Sequence, residues 1–294
     1  LFILIVVLSG WFFAGQAVNP ISEVIQQVDK LSPKRLEERL KSPDFEDEIG
    51  KMVSTVNRLL ERIENAFKLQ KTFIANVSHE LKNPLTKISS QLEVSLLKER
   101  ETGDYKNTIS SVLEDTQELA AITESLLELN KLSLSDSQAG FNEWRIDEIL
   151  WEARSLTQKL NSAYKVSIDT SHMPEDEEML LVKGDDKLIL TALKNLMENA
   201  CKFSPSKSAQ VSFKNSGNSI QIFVKNEGKG IPANDLPYIF QPFFRGENTA
   251  SSKGYGIGLS LVERIIQLHN GQISVVSVPD SFTEFTVTFH VSGQ

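Results

Sequence analysis

The sequence predicts a multi-domain protein. Its parts are the end of a transmembrane helix, a small all-α helix pair, a helical hairpin that completes a dimeric four-helix bundle, and an α/β two-layer sandwich. Three observations predict this order. Leu1–Val18 is apolar and carries no charge. From Ile21 to Leu134 apolar residues recur at helical spacing. From Trp144 onward several short stretches alternate with period two, separated by further helical stretches, which is the texture of a mixed sheet and helix layer.

With 294 residues the chain has room for two or three modules, each with its own core. Its 40% apolar and 24% charged content is that of an ordinary folded protein. The net charge of -8 offers no basic excess to track phosphates, so the chain is no general nucleic-acid binder. The acidic run Glu175–Glu178 reads as a solvated loop. A single cysteine, Cys201, excludes an internal disulfide and fits a reducing compartment.

Taken in order, residues 1–18 as a helix reach ~27 Å at 1.5 Å per residue, close to a hydrocarbon core of ~30 Å. They lack the basic start and small-residue cleavage site of a signal peptide. The chain does not begin with Met. The expectation is the end of a membrane-spanning helix, preceded by a part outside this sequence. Residues 19–66 hold two amphipathic helical stretches. Ile21, Val24, Ile25, Val28 and Leu31 make the first stripe, and Ile49, Met52, Val53, Val56, Leu59, Leu60 and Ile63 the second. Ser32-Pro33 and Ser42-Pro43-Asp44 punctuate a connector between them. Such short helices cannot bury their stripes alone, and a parallel dimer supplies the missing surface. The early proline, Pro20, followed by Asp47-Glu48-Ile49-Gly50 at the second helix, resembles a HAMP relay domain.

Residues 67–134 read as two long helices joined by a turn at Glu101–Asp104. Two such hairpins make a four-helix bundle. Phe73, Val77, Leu81, Ile88 and Leu92 form the stripe of the first helix. Ile109, Val112, Leu113, Leu119, Ala120, Ile122, Leu126, Leu127 and Leu129 form that of the second. His79 lies two residues from Val77 and from Leu81, a rotation of ~200°, which turns it to the outer face. Asn83 is one turn on, Glu80 is adjacent, and Pro84 removes one helix hydrogen bond and favours a kink. Residues 135–144 are expected as a polar linker and 145–294 as the sandwich. Its helix candidates are 146–163, 187–203 and 260–269, and its strand candidates are 165–169, 180–182, 210–214, 219–225, 272–278 and 284–291.

Two glycine-rich turns stand out in this last part. Gly228-Lys229-Gly230 follows a strand and by itself is only a tight loop. Gly254-Tyr255-Gly256-Ile257-Gly258-Leu259 runs into a helix, so its backbone N–H groups and the helix N-terminus can cradle phosphate oxygens. Its spacing is not that of the dinucleotide fingerprint, and no βαβ frame precedes it. On the helix 187–203, Asn195 and Asn199 lie four apart on one face, with Lys202 about a turn beyond. An amide oxygen suits Mg2+ and a lysine supplies a point charge for phosphate. His172, His269 and His290 read as ordinary structural or surface histidines.

The string FIANVSHELKNPLT at residues 73–86 closely resembles the phosphoacceptor box of bacterial two-component histidine kinases. NLMENACKF at 195–203 resembles their N box, NEGKG at 226–230 the first glycine box, FQPFFR at 240–245 the F box, and GYGIGL at 254–259 the second glycine box. The resemblance runs from about residue 66 to the end. It implies a membrane-bound homodimer that binds ATP with Mg2+ and phosphorylates its own His79. It also implies transfer onward to an aspartate of a response-regulator receiver domain, and phosphatase activity. By resemblance His79 is the nucleophile, Glu80 its general base, and Asn83 a holder of in-line water. Asn199 is the Mg2+ ligand. Asn195, Lys202, Arg245, Gly254, Gly256, Gly258 and Leu259 surround the nucleotide, and Gly228 and Gly230 shape its base pocket. Segment 245–253 is the expected lid, and the catalytic domains face the cytoplasm.

The sequence departs from the family in two places. Asn226 stands where the family has the aspartate that accepts from the adenine amino group; its amide oxygen still accepts, while its NH2 tolerates other purines. No third glycine motif is recognisable near residues 281–284. Two rival readings follow. One is a pseudokinase scaffold that binds nucleotide weakly. The other is an ATPase of the gyrase or chaperone type, which Asn195, in place of a water-activating glutamate, weighs against.

Overall fold

The computed structural model describes residues 2–30, 37–41, 48–134, 141–174, 176–246 and 254–291. The chain forms two compact units, residues 1–76 and 77–294.

The first unit contains helix α1 (Phe2–Asp29) and the start of helix α2 (Glu48–Leu96). Among the described residues no helix is long and apolar enough to cross a membrane. Helix α1 runs unbroken through Asn19 and Pro20, where the apolar stretch ends. A small core joins Val24, Leu40, Val53 and Leu60, with Ile49 and Val56 packed against it. The connector segment 37–41 is tied down by side-chain amides. Leu40 N–H donates to Asn57 Oδ1 at 2.9 Å, and Asn57 Nδ2 donates to the Leu40 carbonyl at 3.0 Å. Lys41 N–H donates to Gln27 Oε1 at 2.9 Å. Together these amides satisfy backbone groups that an irregular segment would otherwise leave unpaired. Arg39 and Lys68 each reach a different oxygen of Glu64, at 2.5 Å. Only part of each predicted stripe is buried: Ile21, Ile25, Val28, Met52, Leu59 and Ile63 stay exposed. Both punctuation sites of the connector, Leu31 and Asp47 lie outside the described residues.

The second unit opens with the remainder of α2 and with α3 (Thr102–Leu134), an antiparallel hairpin. Pro84 lies inside the continuous helix α2. Phe73, Val77, Leu81, Ile88, Val112, Leu119 and Leu126 of the expected stripes are half-buried, and polar rungs join the two helices beside them. Lys87 Nζ donates to Asp115 Oδ1 at 2.5 Å, Gln91 Nε2 to Ser111 Oγ at 3.2 Å, and Ser95 Oγ to Thr108 Oγ1 at 3.4 Å. Asp115 is almost fully buried, so a cation beside it is needed to offset its desolvation. Of the predicted stripes, Ile122 is buried, while Leu92, Ile109, Leu113 and Leu127 are exposed.

The sandwich begins earlier than the sequence predicts. Strand β1 (Asn142–Arg145) takes up the end of the expected linker and pairs antiparallel with β3 (Leu181–Gly184). Its alternation is too short to show as a pattern. Arg145 also holds Asp147 and Glu177, both at 2.9 Å, so the acidic run is in part a partner of β1 and not simply solvated. The main sheet has the order β2-β4-β5-β7-β6, with β2 (Lys165–Asp169), β4 (Ser208–Asn215), β5 (Ser219–Glu227), β6 (Gln272–Val278) and β7 (Phe282–His290). Strands β2 and β4 are parallel and the other pairs antiparallel. Alternate residues of β5 and β7 turn inward, among them Ile220, Ile222, Val224, Phe285, Val287 and Phe289. They meet the apolar stripes of α4 (Ile146–Leu160), α5 (Asp186–Phe203) and α6 (Gly258–Leu268). Asp185 caps α5 by accepting from Leu188 N–H at 3.0 Å, which fixes where the helix starts.

Candidate functional site

On α2 the imidazole of His79 is exposed, as its helical position requires. Glu80 Oε1 lies 3.8 Å from its Nδ1, and the Asn83 amide nitrogen 3.2 Å from the same atom. As placed, the amide donates to Nδ1 and the ring proton sits on Nε2. Turning the amide over presents its oxygen to Nδ1–H and frees the Nε2 lone pair. One helical turn thus carries an exposed imidazole and the groups that select its tautomer.

In the sandwich, α5 and the Gly254–Gly258 loop face each other. Asn195 Nδ2 donates back to the Thr191 carbonyl at 2.9 Å, which turns Oδ1 outward. A Cβ on Gly258 would stand 3.1 Å from that Oδ1 and 3.9 Å from Asn199 Nδ2. On Gly254 it would stand 2.7 Å from Lys202 Nζ. Gly256 has φ 71°, and a Cβ there would meet the Phe244 carbonyl at 2.5 Å, so only glycine fits. Helix α6 starts at Gly258 with no side chain capping its first N–H groups. Those donors, with the helix dipole, favour an anion at this point.

Lys202 is half-buried beside the Phe203 ring, 5.0 Å from its centroid. Burial pulls its pKa below the ordinary lysine range; Glu198 counters, and the positive charges of Arg245 and Lys207 push the same way as burial. Cations gathered against their mutual repulsion, next to a glycine loop, make a receptor for polyphosphate. Phe240 and Phe244 pack against the sandwich core, Phe243 is buried, and Leu259 is half-buried. Most of the expected lid, residues 247–253, lies outside the described residues, as does linker segment 135–140.

Asn226 is buried at the end of β5, and its Nδ2 donates to the Glu227 carbonyl at 3.1 Å. The amide is thereby oriented, and the oxygen is the end left to accept. The loops beside it are tight: a Cβ on Gly228 would meet the Phe203 carbonyl, and one on Gly230 the Val278 carbonyl, both at 2.6 Å. Thr283, a residue the sequence reading passed over, stands opposite Asn226 in the β5–β7 ladder and is also buried. Its hydroxyl meets Ser277 Oγ at 2.8 Å, which in turn accepts from Ile231 N–H at 2.8 Å. A search for glycines misses this corner, because the turn before it uses Asp280 at φ 55°.

The remaining histidines and the cysteine have structural or surface settings. His172 and His290 are exposed. His269 is buried, stacked on Phe141 with centroids 4.6 Å apart. Its Nδ1 meets the Ile265 carbonyl at 2.7 Å, and its Nε2 accepts from Asp185 N–H at 3.0 Å, so it is neutral. Burial pushes the Cys201 thiol up to about 11, out of the range of a reactive thiolate. An open cleft of ≈ 590 Å³ near His172, Lys214, Phe223 and Glu284 contains none of the predicted site residues.

The exposed histidine helix and the glycine-lined polar cradle make a two-part arrangement, and family comparisons match the chain segment by segment. Residues 12–65 match the HAMP domain, residues 69–134 the His Kinase A phospho-acceptor domain, and residues 184–293 the histidine kinase-, DNA gyrase B- and HSP90-like ATPases. The chain belongs to the two-component sensor histidine kinases. It is 26% identical to the sensor protein CzcS of Cupriavidus metallidurans, over 99% of this chain and 60% of that protein. It is 30% identical to the sensor histidine kinase YkoH of Bacillus subtilis, over 96% of this chain and 61% of that protein. The chain therefore spans about three-fifths of the length of these relatives. Its fold is shared with the histidine kinase ThkA, solved in complex with the response regulator TrrA. That match has a TM-score of 0.58 at 22% identity, covering 78% of this chain and 64% of that one.

Proposed function

We propose that this protein is an ATP-dependent protein-histidine kinase that phosphorylates His79 and passes the phosphoryl group to an aspartate of a response regulator. The observation that carries this reading is the pairing of the Gly254–Gly258 loop with Asn195, Asn199 and Lys202, in the same unit as an exposed His79. The cradle fits a triphosphate: glycines leave its floor open, and Lys202 with Arg245 supplies positive charge. Asn226 and Thr283 line the base pocket, with the Asn226 oxygen accepting from an adenine amino group. Asn199 would hold Mg2+, which would supply positive charge to neutralise the phosphates.

His79 Nε2 attacks while the site holds the phosphates in line, and positioning and charge supply most of the catalysis. Glu80 takes up the Nδ1 proton as the imidazolium forms. In the reverse role, Asn83 orients water for dephosphorylating the regulator. The protein acts as a homodimer, anchored in the bacterial cytoplasmic membrane through its N-terminal helix, with the catalytic domains in the cytoplasm. The exposed stripes on α2 and α3 supply the dimer contact. The ThkA–TrrA complex supports a receiver domain as the partner. The pseudokinase alternative finds no support, since Asn226 keeps an acceptor where adenine needs one.

The test is incubation with γ-labelled Mg-ATP beside His79→Gln and Asn199→Ala. Acid-labile label on the parent, absent from both variants, is the expected result. A folded, ATP-binding parent that takes no label would overturn the kinase reading.

A further inference from the structure

At one end of the sheet three polar side chains stand in a row across three strands. Asn226 of β5 is registered opposite Thr283 of β7, and Thr283 opposite Ser277 of β6. Asn226 and Thr283 continue the inward alternation of Ile222, Val224, Phe285 and Val287, so both turn to the helix side of the sheet. Both are buried, and Ser277 is half-buried.

Their hydrogen bonds decide what this row can offer a base. A serine hydroxyl has one proton and two lone pairs. Ser277 Oγ accepts from Ile231 N–H at 2.8 Å, donates to the Phe282 carbonyl at 3.2 Å and lies 2.8 Å from Thr283 Oγ1. One assignment makes all three bonds. The Ser277 proton goes to Phe282, and Thr283 donates its own proton to the second lone pair of Ser277. The Thr283 oxygen is then left with lone pairs alone. Asn226 is constrained in the same sense, since its Nδ2 donates to the Glu227 carbonyl at 3.1 Å. Among the described residues its Oδ1 has no donor, and it is not sealed from solvent. The sequence leaves both ends of this amide open to a base; the fold engages one of them.

The row therefore presents two acceptors and no donor. Directly opposite residues of an antiparallel pair have Cβ atoms about 4.5–5.5 Å apart. One amino nitrogen can bridge such a pair and give each oxygen one of its protons. Adenine has that exocyclic amino group. Hypoxanthine and guanine carry an oxygen in its place, which would bring a third acceptor to the two and leave all of them unpaired.

We propose that Ser277 is a positioning residue that sets base specificity: by taking the Thr283 proton it makes the Asn226–Thr283 pair acceptor-only, so the site takes amino purine nucleotides and rejects oxo purine ones. Ser277 acts through Thr283 and not on the base itself. This inference rests on the nucleotide reading above and adds how the base is chosen with Asn226 in place of a carboxylate.

The test compares Mg-ATP with Mg-ITP (inosine triphosphate), whose base carries oxygen in place of the amino group. Calorimetric Kd values are measured on the full chain for the parent, Ser277→Ala, Ser277→Thr and Thr283→Val. The parent is expected to bind ATP at least about tenfold more tightly than ITP, the scale of acceptors left unpaired. In Ser277→Ala the Thr283 hydroxyl can turn its proton to the base, so ITP binding improves and the ratio falls to within about twofold. Ser277→Thr restores a hydroxyl and keeps the parental ratio. Thr283→Val leaves Ser277 its bonds to Ile231 and Phe282; ATP affinity falls and the ratio shrinks. A parent that binds ITP as tightly as ATP would overturn the acceptor-only pocket and leave ATP-dependent labelling of His79, and so the kinase reading, standing. A Ser277→Ala protein that loses affinity for both nucleotides equally, or a Thr283→Val protein with the parental ratio, would overturn the role of the row. A folded parent that binds neither nucleotide would overturn the kinase reading as well.

Discussion

The sandwich and the hairpin share one compact unit but are built on opposite terms. In the sandwich every apolar stripe meets the sheet, and residues such as Leu193, Leu196, Ile222 and Val287 have no exposed surface. In the hairpin the two helices meet through Lys87–Asp115 and Gln91–Ser111, while Leu92, Ile109, Leu113 and Leu127 face outward. A domain that closes its own core is stable at any concentration. A helix pair that puts polar rungs into its internal face and leaves part of its apolar stripes exposed is expected to gain stability from a second copy. The proposed nucleotide cradle sits in the first kind of structure and His79, the proposed phosphoacceptor, in the second. ATP binding is therefore expected to be a property of one chain's fold, while the setting of His79 depends on assembly.

The largest test of this contrast is a pair of truncations. Leu193→Ala is expected to cost about 2–5 kcal/mol in denaturant unfolding, the usual cost of a core cavity. Leu113→Ala is expected to leave that transition in place and to weaken self-association, read by sedimentation at falling concentration. Equal effects of the two on unfolding would break the comparison.

Next in size is the loop. Gly256→Ala places a β-carbon against the Phe244 carbonyl at a positive φ. It is expected to weaken ATP binding at least about tenfold, the equivalent of 1.4 kcal/mol or more of strain, while the dimer remains. Titration with a fluorescent ATP analogue reads this. A Gly256→Ala protein with parental affinity would show that the loop does not form the cradle.

Smaller still is a pH effect confined to the sandwich. Burial, first, holds His269 below the ordinary imidazole range, against the pull of the Ile265 carbonyl and Asp185. On acidification the unfolded chain takes up this proton first, near its ordinary value of ~6.5. The stability is therefore full above that pH and is lost as pH falls toward the lower folded pKa. Protonation at Nε2 also removes the acceptor for Asp185 N–H at the start of α5. Urea midpoints of the parent should drop between neutral pH and pH ~5, and His269→Gln should flatten that slope. A parental slope in the variant would assign the pH dependence to another group.

Much of the fold was legible because its signals are local. The alternation of β2 and β6 marked their bounds residue for residue, and the stripes of α4, α5 and α6 placed those helices to within a few positions. The exposure of His79 followed from helical geometry alone. What escaped was carried by pairing across the chain. Strand β1 has too few residues to show a period and exists because β3 lies beside it. Thr283 carries no motif and gains its place from standing opposite Asn226. His269 looked ordinary, and its burial between Phe141 and Asp185 appears only once α6 is packed.

The sequence by itself determined most element types, the face on which His79 lies, and where side chains suited to phosphate and magnesium stand along the chain, because periodicity, glycine and side-chain chemistry act within a few neighbours. Only the tertiary structure decided that Asn195, Asn199 and Lys202 confront the Gly254–Gly258 loop, that polar rungs align the hairpin, and that α6 reaches α3 through Arg264 and Leu132. Those contacts join residues tens to more than a hundred positions apart. Their partners are set by how helices and sheet close around one core, which no local pattern encodes.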